Sequence, residues 1–82
     1  MGKSEKLLSK LSSASNTFAW SDLVTLLARL GYEMQEMAGS RVRFYNADTG
    51  HMLRLHKPHP ENHIKGGALK DVRAALKREG YL

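Results

Sequence analysis

The sequence predicts an α+β domain in which helices cover one face of a three-stranded antiparallel sheet. Three observations carry this expectation. Apolar residues recur with a period of about 3.6 over residues 20–30, the period drops to about 2 beyond Gly31, and helical spacing returns after Gly67. Strands grouped between helices, with short turns joining them, make a two-layer sandwich rather than a parallel α/β fold.

Each element has its own local reason. Residues 4–12 place Leu7, Leu8 and Leu11 at helical spacing and then run into the polar stretch Ser12-Ser13-Ala14-Ser15-Asn16-Thr17, so a short helix or a frayed arm is expected over residues 1–16. Over 20–30, Trp20, Leu23, Leu26, Leu27 and Leu30 line one helical face. Asp22 lies in the first turn, where the helix dipole favours an acid, and Gly31 stands at the stop. Residues 32–37 alternate imperfectly, Ala38-Gly39-Ser40 is a turn, and 41–45 alternate well. A second turn, Asn46-Ala47-Asp48-Thr49-Gly50, leads to a third strand at 52–55. The last helix, over 67–79, has Leu69, Val72 and Leu76 on one stripe and Lys70, Arg73, Lys77 and Arg78 away from it. Gly80 closes it, and Tyr81-Leu82 are expected to fold back onto the core.

Composition narrows the chemistry. The 82 residues contain no cysteine, which excludes disulfides, thiolate zinc sites and thiol nucleophiles. No apolar run approaches a membrane span or a signal peptide, so a cytoplasmic location is expected. Residues 1–39 carry four basic and four acidic side chains. Residues 40–82 carry nine basic and four acidic, so the whole net charge of +5 lies there. Such asymmetry points to a polyanion-binding face, although an excess of this size also occurs on surfaces that bind nothing.

The alternation predicts the register of the second hairpin. Burying Val42 and Phe44 with Leu53 and Leu55 sets 44 opposite 53 and 42 opposite 55. The other face then receives Arg43 opposite Arg54 and Arg41 opposite His56, with Tyr45 and Met52 beside the turn. Like charges directly opposed on a ladder destabilise it by a few tenths of a kcal/mol up to about 1. With Lys57 adjacent, the arrangement is expected to bind phosphate, the other reading being long arginines that splay apart on a solvated face at almost no cost. Tyr45 is expected as a partial core residue, with stacking on an unpaired base as the alternative.

The loop over 56–67, His56-Lys57-Pro58-His59-Pro60-Glu61-Asn62-His63-Ile64-Lys65-Gly66-Gly67, brings three histidines and two lysines to the start of the last helix. A metal site at His56, His59 and His63 is not expected, because only Glu61 stands near to complete a ligand set. Metal-free, cofactor-free phosphodiester chemistry suits these residues better. RNA supplies its own 2′-hydroxyl nucleophile, so the protein need only accept one proton, donate another and steady the phosphorane charge. His56 and His59 are the candidate catalysts, with a structural role, orienting the loop and capping the helix, as the other reading of His59. Lys65, Gly66 and Gly67 would bind an anion at the helix start, while a plain flexible helix start is the other reading of the glycines. His51 is expected to be a solvated turn residue and His63 a loop or helix-start residue.

Leu30-Gly31-Tyr32, Gly39-Ser40-Arg41-Val42-Arg43-Phe44 and His59-Pro60-Glu61-Asn62-His63-Ile64-Lys65-Gly66-Gly67-Ala68-Leu69, in this order and spacing, resemble the HicA toxins over about residues 20–82. The resemblance implies a double-stranded-RNA-binding type of fold for residues 17–82. It further implies a toxin of a type II toxin–antitoxin system that cleaves mRNA independently of the ribosome and is neutralised by a HicB-like antitoxin. Members of this family usually place a catalytic histidine directly after the Gly-Ser turn, where this chain has Arg41. Arginine stays protonated up to a pKa above about 12, so Arg41 can hold phosphate or stabilise a transition state but cannot shuttle the proton. Either the loop supplies the catalyst, with His56 across from Arg41, or the domain binds RNA without cutting it. A third class, a protein-interaction domain, would use the basic face to grip an acidic partner.

Overall fold

The computed structural model describes residues 3–14 and 16–82. In chain order these form α1 (Lys3–Ser13), β1 (Thr17–Ala19), α2 (Trp20–Arg29), β2 (Tyr32–Glu36), β3 (Arg41–Asn46), β4 (Met52–His56), β5 (His63–Lys65) and α3 (Gly66–Arg78). Strands β2, β3 and β4 make an antiparallel sheet in that order, and β1 pairs with β5 in a separate two-stranded ribbon. The α+β architecture, the central sheet and the helix positions follow the sequence expectation. The ribbon does not.

The register of the β3–β4 hairpin is the one read from the alternation: Phe44 faces Leu53, Val42 faces Leu55, Arg43 faces Arg54 and Arg41 faces His56. Val42, Phe44, Leu53 and Leu55 are buried, joined from the helices by Trp20, Leu23, Leu26, Leu27, Leu69, Val72 and Leu76. Trp20 meets Phe44 edge to face, ring centroids 6.1 Å apart, a geometry that suits the ring quadrupoles. Helix α1 adds Leu11, which has no exposed surface. Lys10 Nζ donates to Asp22 Oδ2 of α2 at 2.9 Å, and the Arg73 guanidinium of α3 donates to the carbonyl of Ala14 just beyond α1.

Ribbon β1–β5 pairs Phe18 with Ile64, both buried, and Ala19 with His63. The backbone N–H of Trp20 donates to the carbonyl of Asn62 at 2.8 Å. The two chain segments that start α2 and α3 are therefore tied to each other, and the far end of the 56–67 loop is anchored. His63 is a strand residue rather than part of an open loop. Helix α3 ends as its composition requires: the N–H of Gly80 donates to the carbonyl of Lys77 and that of Tyr81 to the carbonyl of Leu76, with Gly80 at φ +89. This pair of bonds needs a left-handed residue, which glycine adopts without a Cβ clash. Tyr81 and Leu82 pack against the core.

One buried polar residue ties three parts together. The Asn46 side chain, 1 % exposed, donates from Nδ2 to the carbonyl of Leu30 (3.0 Å) and to the Tyr81 hydroxyl (3.4 Å). Its Oδ1 accepts from the backbone N–H groups of Asp48 (3.0 Å) and Thr49 (3.3 Å). Every polar group of the amide is matched, so its burial carries no unpaired donor or acceptor. His51 departs from the sequence expectation of a solvated turn residue. Its Nδ1 lies 2.5 Å from the Tyr32 hydroxyl, and the rings meet edge to face. Burial, with the Tyr81 hydroxyl and the Glu79 carboxylate nearby, pushes the Tyr32 hydroxyl up to about 12.

Candidate functional site

The face of the sheet turned away from the helices is built by period-2 alternation alone. It carries Gln35 and Glu33 from β2, Arg41, Arg43 and Tyr45 from β3, and Met52, Arg54 and His56 from β4. Arg41, Arg54 and His56 are exposed, and Arg43 is half-buried. Arg41, Arg43, Arg54 and His56 line one cavity of about 390 Å³, together with Met37, Val42 and Leu55. The sequence-predicted phosphate residues of the hairpin are thus gathered in one place.

Their charges are not neutralised from within. Among the described residues the ion pairs are Lys10 with Asp22, Lys57 with Glu36 at 3.9 Å and Lys65 with Glu61 at 3.0 Å; none involves an arginine of this face. Arg43 is held instead by a neutral group, donating from Nε (3.0 Å) and Nη2 to Gln35 Oε1. Arg41 Nε makes a long contact, 3.5 Å, with the carbonyl of Ala38. An amide oxygen orients a guanidinium without cancelling its charge, so the face keeps its attraction for an anion.

His56 stands at a junction. It lines the arginine cavity and also a second one, of about 320 Å³, formed by Pro58, His59, Pro60, Glu61, His63, Ile64, Lys65 and Ala68. The predicted loop residues His59 and Lys65 meet His56 there, while Arg41 lies on the other side of it. Ser40 Oγ lies 3.4 Å from His56 Nδ1, and the N–H of Lys57 donates to the carbonyl of Ser40 at 2.7 Å. The turn before β3 therefore braces the end of β4. With Nδ1 engaged by a hydroxyl that both donates and accepts, either tautomer of His56 is accommodated. Nε2 is then open to accept a proton or to donate one.

Lys57 lies with Glu36, Ser40 and Arg41 around a third, smaller depression. Its carboxylate partner weakens its pull on phosphate relative to the free arginines, as Glu61 does for Lys65. Gly66 and Gly67 are exposed at the start of α3, and Gly66 takes φ +59. The backbone there requires a glycine for its conformation alone, the plain structural reason. Tyr45 is 37 % exposed on the open face, not the partial core residue expected from its place at a strand end. The sequence reading missed the Ser40 contact with His56; the strand register, which places residue 41 across from 56, was the available signal for it.

Among the described residues no three His, Cys, Asp or Glu side chains group in a way that would hold a metal ion, and no helix is long and apolar enough to cross a membrane. A family model described as the HicA toxin of bacterial toxin–antitoxin systems matches residues 20–81. No curated protein matches the chain, and no solved structure does.

Proposed function

This chain belongs to the HicA toxin family, and from that premise we propose that it is a metal-independent endoribonuclease of a type II toxin–antitoxin system, acting on mRNA in the cytoplasm and neutralised by a HicB-like antitoxin. The observation that carries the reading is the pairing of Arg41 with His56 beside Arg43 and Arg54, on a face where no carboxylate neutralises the arginines among the described residues.

In this reading a phosphodiester lies over the arginine cavity. His56 accepts the proton of the 2′-hydroxyl as its oxygen attacks phosphorus. Arg41 and Arg43 hold the non-bridging oxygens and stabilise the extra negative charge of the phosphorane. The bond from phosphorus to the 5′-oxygen breaks, and that oxygen takes a proton from His59, which lines the adjoining cavity. The products are a 2′,3′-cyclic phosphate and a free 5′-hydroxyl. Arg54, Lys57 and Lys65, with the amides at Gly66 and Gly67, position the flanking phosphates. Arg41 favours one other reading, a non-catalytic RNA-binding module of the same fold, because it stands where the family usually has its proton-transfer histidine.

Induction of the parent against His56→Ala and His59→Ala, with growth and mRNA integrity followed, separates the two. Toxicity and mRNA loss from the parent that disappear in His56→Ala support the nuclease. Equal toxicity of all three removes both histidines from catalysis, and a non-toxic parent favours the binder.

A further inference from the structure

We propose that Tyr45 and Met52 form a base-stacking subsite that makes the open face selective for an unpaired RNA strand, a refinement that rests on the RNA reading above. Tyr45 and Met52 are cross-strand partners at the turn end of the β3–β4 hairpin, next to the Arg43–Arg54 pair. They are 37 % and 36 % exposed, which leaves part of an aromatic ring and of a soft thioether open side by side on a solvent face. Tyr45 makes no side-chain hydrogen bond and no ring contact among the described residues.

The charge map of the face says which part of a nucleotide goes where. Positive charge is concentrated over Arg41, Arg43 and Arg54. Glu33, the one carboxylate among the strand residues of this face, lies directly opposite Tyr45. A phosphate is repelled from that corner, whereas an uncharged base is not. Side chains on one face of a strand recur every roughly 7 Å, so Tyr45 lies on the order of 14 Å from Arg41. An extended strand with one phosphate at Arg41 and His56 and the next at Arg43 and Arg54 brings a base to Tyr45 within about two nucleotides. A duplex keeps its base faces stacked inside and cannot offer one.

The test compares parent, Tyr45→Ala, Tyr45→Phe and Arg43→Ala for binding a short 2′-O-methyl oligoribonucleotide, single-stranded or as a duplex, over a series of salt concentrations. The 2′-O-methyl groups block attack by the 2′-oxygen, so binding is read without cleavage. Tyr45→Ala is expected to weaken single-strand binding about 5- to 100-fold at an unchanged salt slope. Tyr45→Phe should bind like the parent, since the ring is kept, and Arg43→Ala should lower the slope. Single-strand binding by Tyr45→Ala equal to the parent's, with Arg43→Ala still impaired, overturns the stacking subsite and leaves the RNA reading standing. A parent that binds duplex as tightly as single strand also overturns it. A parent that binds neither removes the RNA reading, and the subsite with it.

Discussion

Replacing Arg54 by threonine is expected to move stability and RNA affinity in opposite directions. In the free protein Arg54 faces Arg43 across the ladder, and Arg43 is tethered to Gln35 and cannot swing far. Two unit charges about 6 Å apart in a water-like medium repel by about 0.7 kcal/mol, and screening at physiological ionic strength roughly halves that. Threonine also suits a strand better than a long cation on a solvated face. For a domain of 82 residues, where each kcal/mol moves Tm by about 4–8 °C, the variant should melt about 3–6 °C higher at low salt. Part of that gain should fade as salt is added, because repulsion is screened and strand propensity is not. The same change should lower the slope of log affinity against log salt for single-stranded RNA by about 0.7, the loss of one phosphate contact. Thermal melts and fluorescence anisotropy on one preparation read both quantities. A lower Tm, or a salt-independent gain joined to an unchanged RNA slope, would refute the view that the pairing is a destabilised phosphate site.

Two further outcomes follow from the packing. Leu11→Ala should cost about 2–5 kcal/mol in urea unfolding, because the side chain is fully enclosed between α1 and the body; a loss below about 1 kcal/mol would mean that α1 contributes little to the core. The raised Tyr32 hydroxyl predicts an alkaline limit: the folded state holds this proton more tightly than the unfolded chain, whose tyrosine titrates near about 10. The contribution is complete below about pH 10 and is lost as pH rises through about 12, so the parent should lose stability faster than Tyr32→Phe across that window. Parallel pH profiles for the two proteins would contradict it.

The helices and the central hairpin were legible because long amphipathic periods and strict alternation encode them directly. Val42, Phe44, Leu53 and Leu55 sufficed to place Arg43 across from Arg54. The β1–β5 ribbon was not legible: three residues show no period, and Thr17–Ala19 and His63–Lys65 lie far apart in sequence. Asn46 looked like any turn starter, since its side-chain bonds to Asp48 and Thr49 are the local ones such residues make. Its burial depends on Leu30 and Tyr81, which only the tertiary fold brings near. His51 was misjudged for the same reason, its partner Tyr32 being 19 positions away. The candidate site was readable where it follows strand register, and unreadable where it depends on how the 56–67 loop folds back to give His56, His59 and Lys65 a common cavity.

The Asn46 amide has a consequence for how this scaffold can change. It anchors the closed end of the β3–β4 hairpin to the end of α2 and to the C-terminal tail, while the arginines and His56 occupy the opposite face of the same strands. A slip of β3 by one residue would pull the amide from Leu30 and Tyr81 and turn Arg43 inward, so the alignment is held from outside the charged surface. Arg41, Arg54 and His56, exposed on that face, are not part of the apolar core. A histidine at position 41 would face His56 without disturbing a single core contact, so the architecture is indifferent to the residue that follows the Gly-Ser turn. A change at position 41 would therefore alter the chemistry of the charged face and leave the frame beneath it as it is.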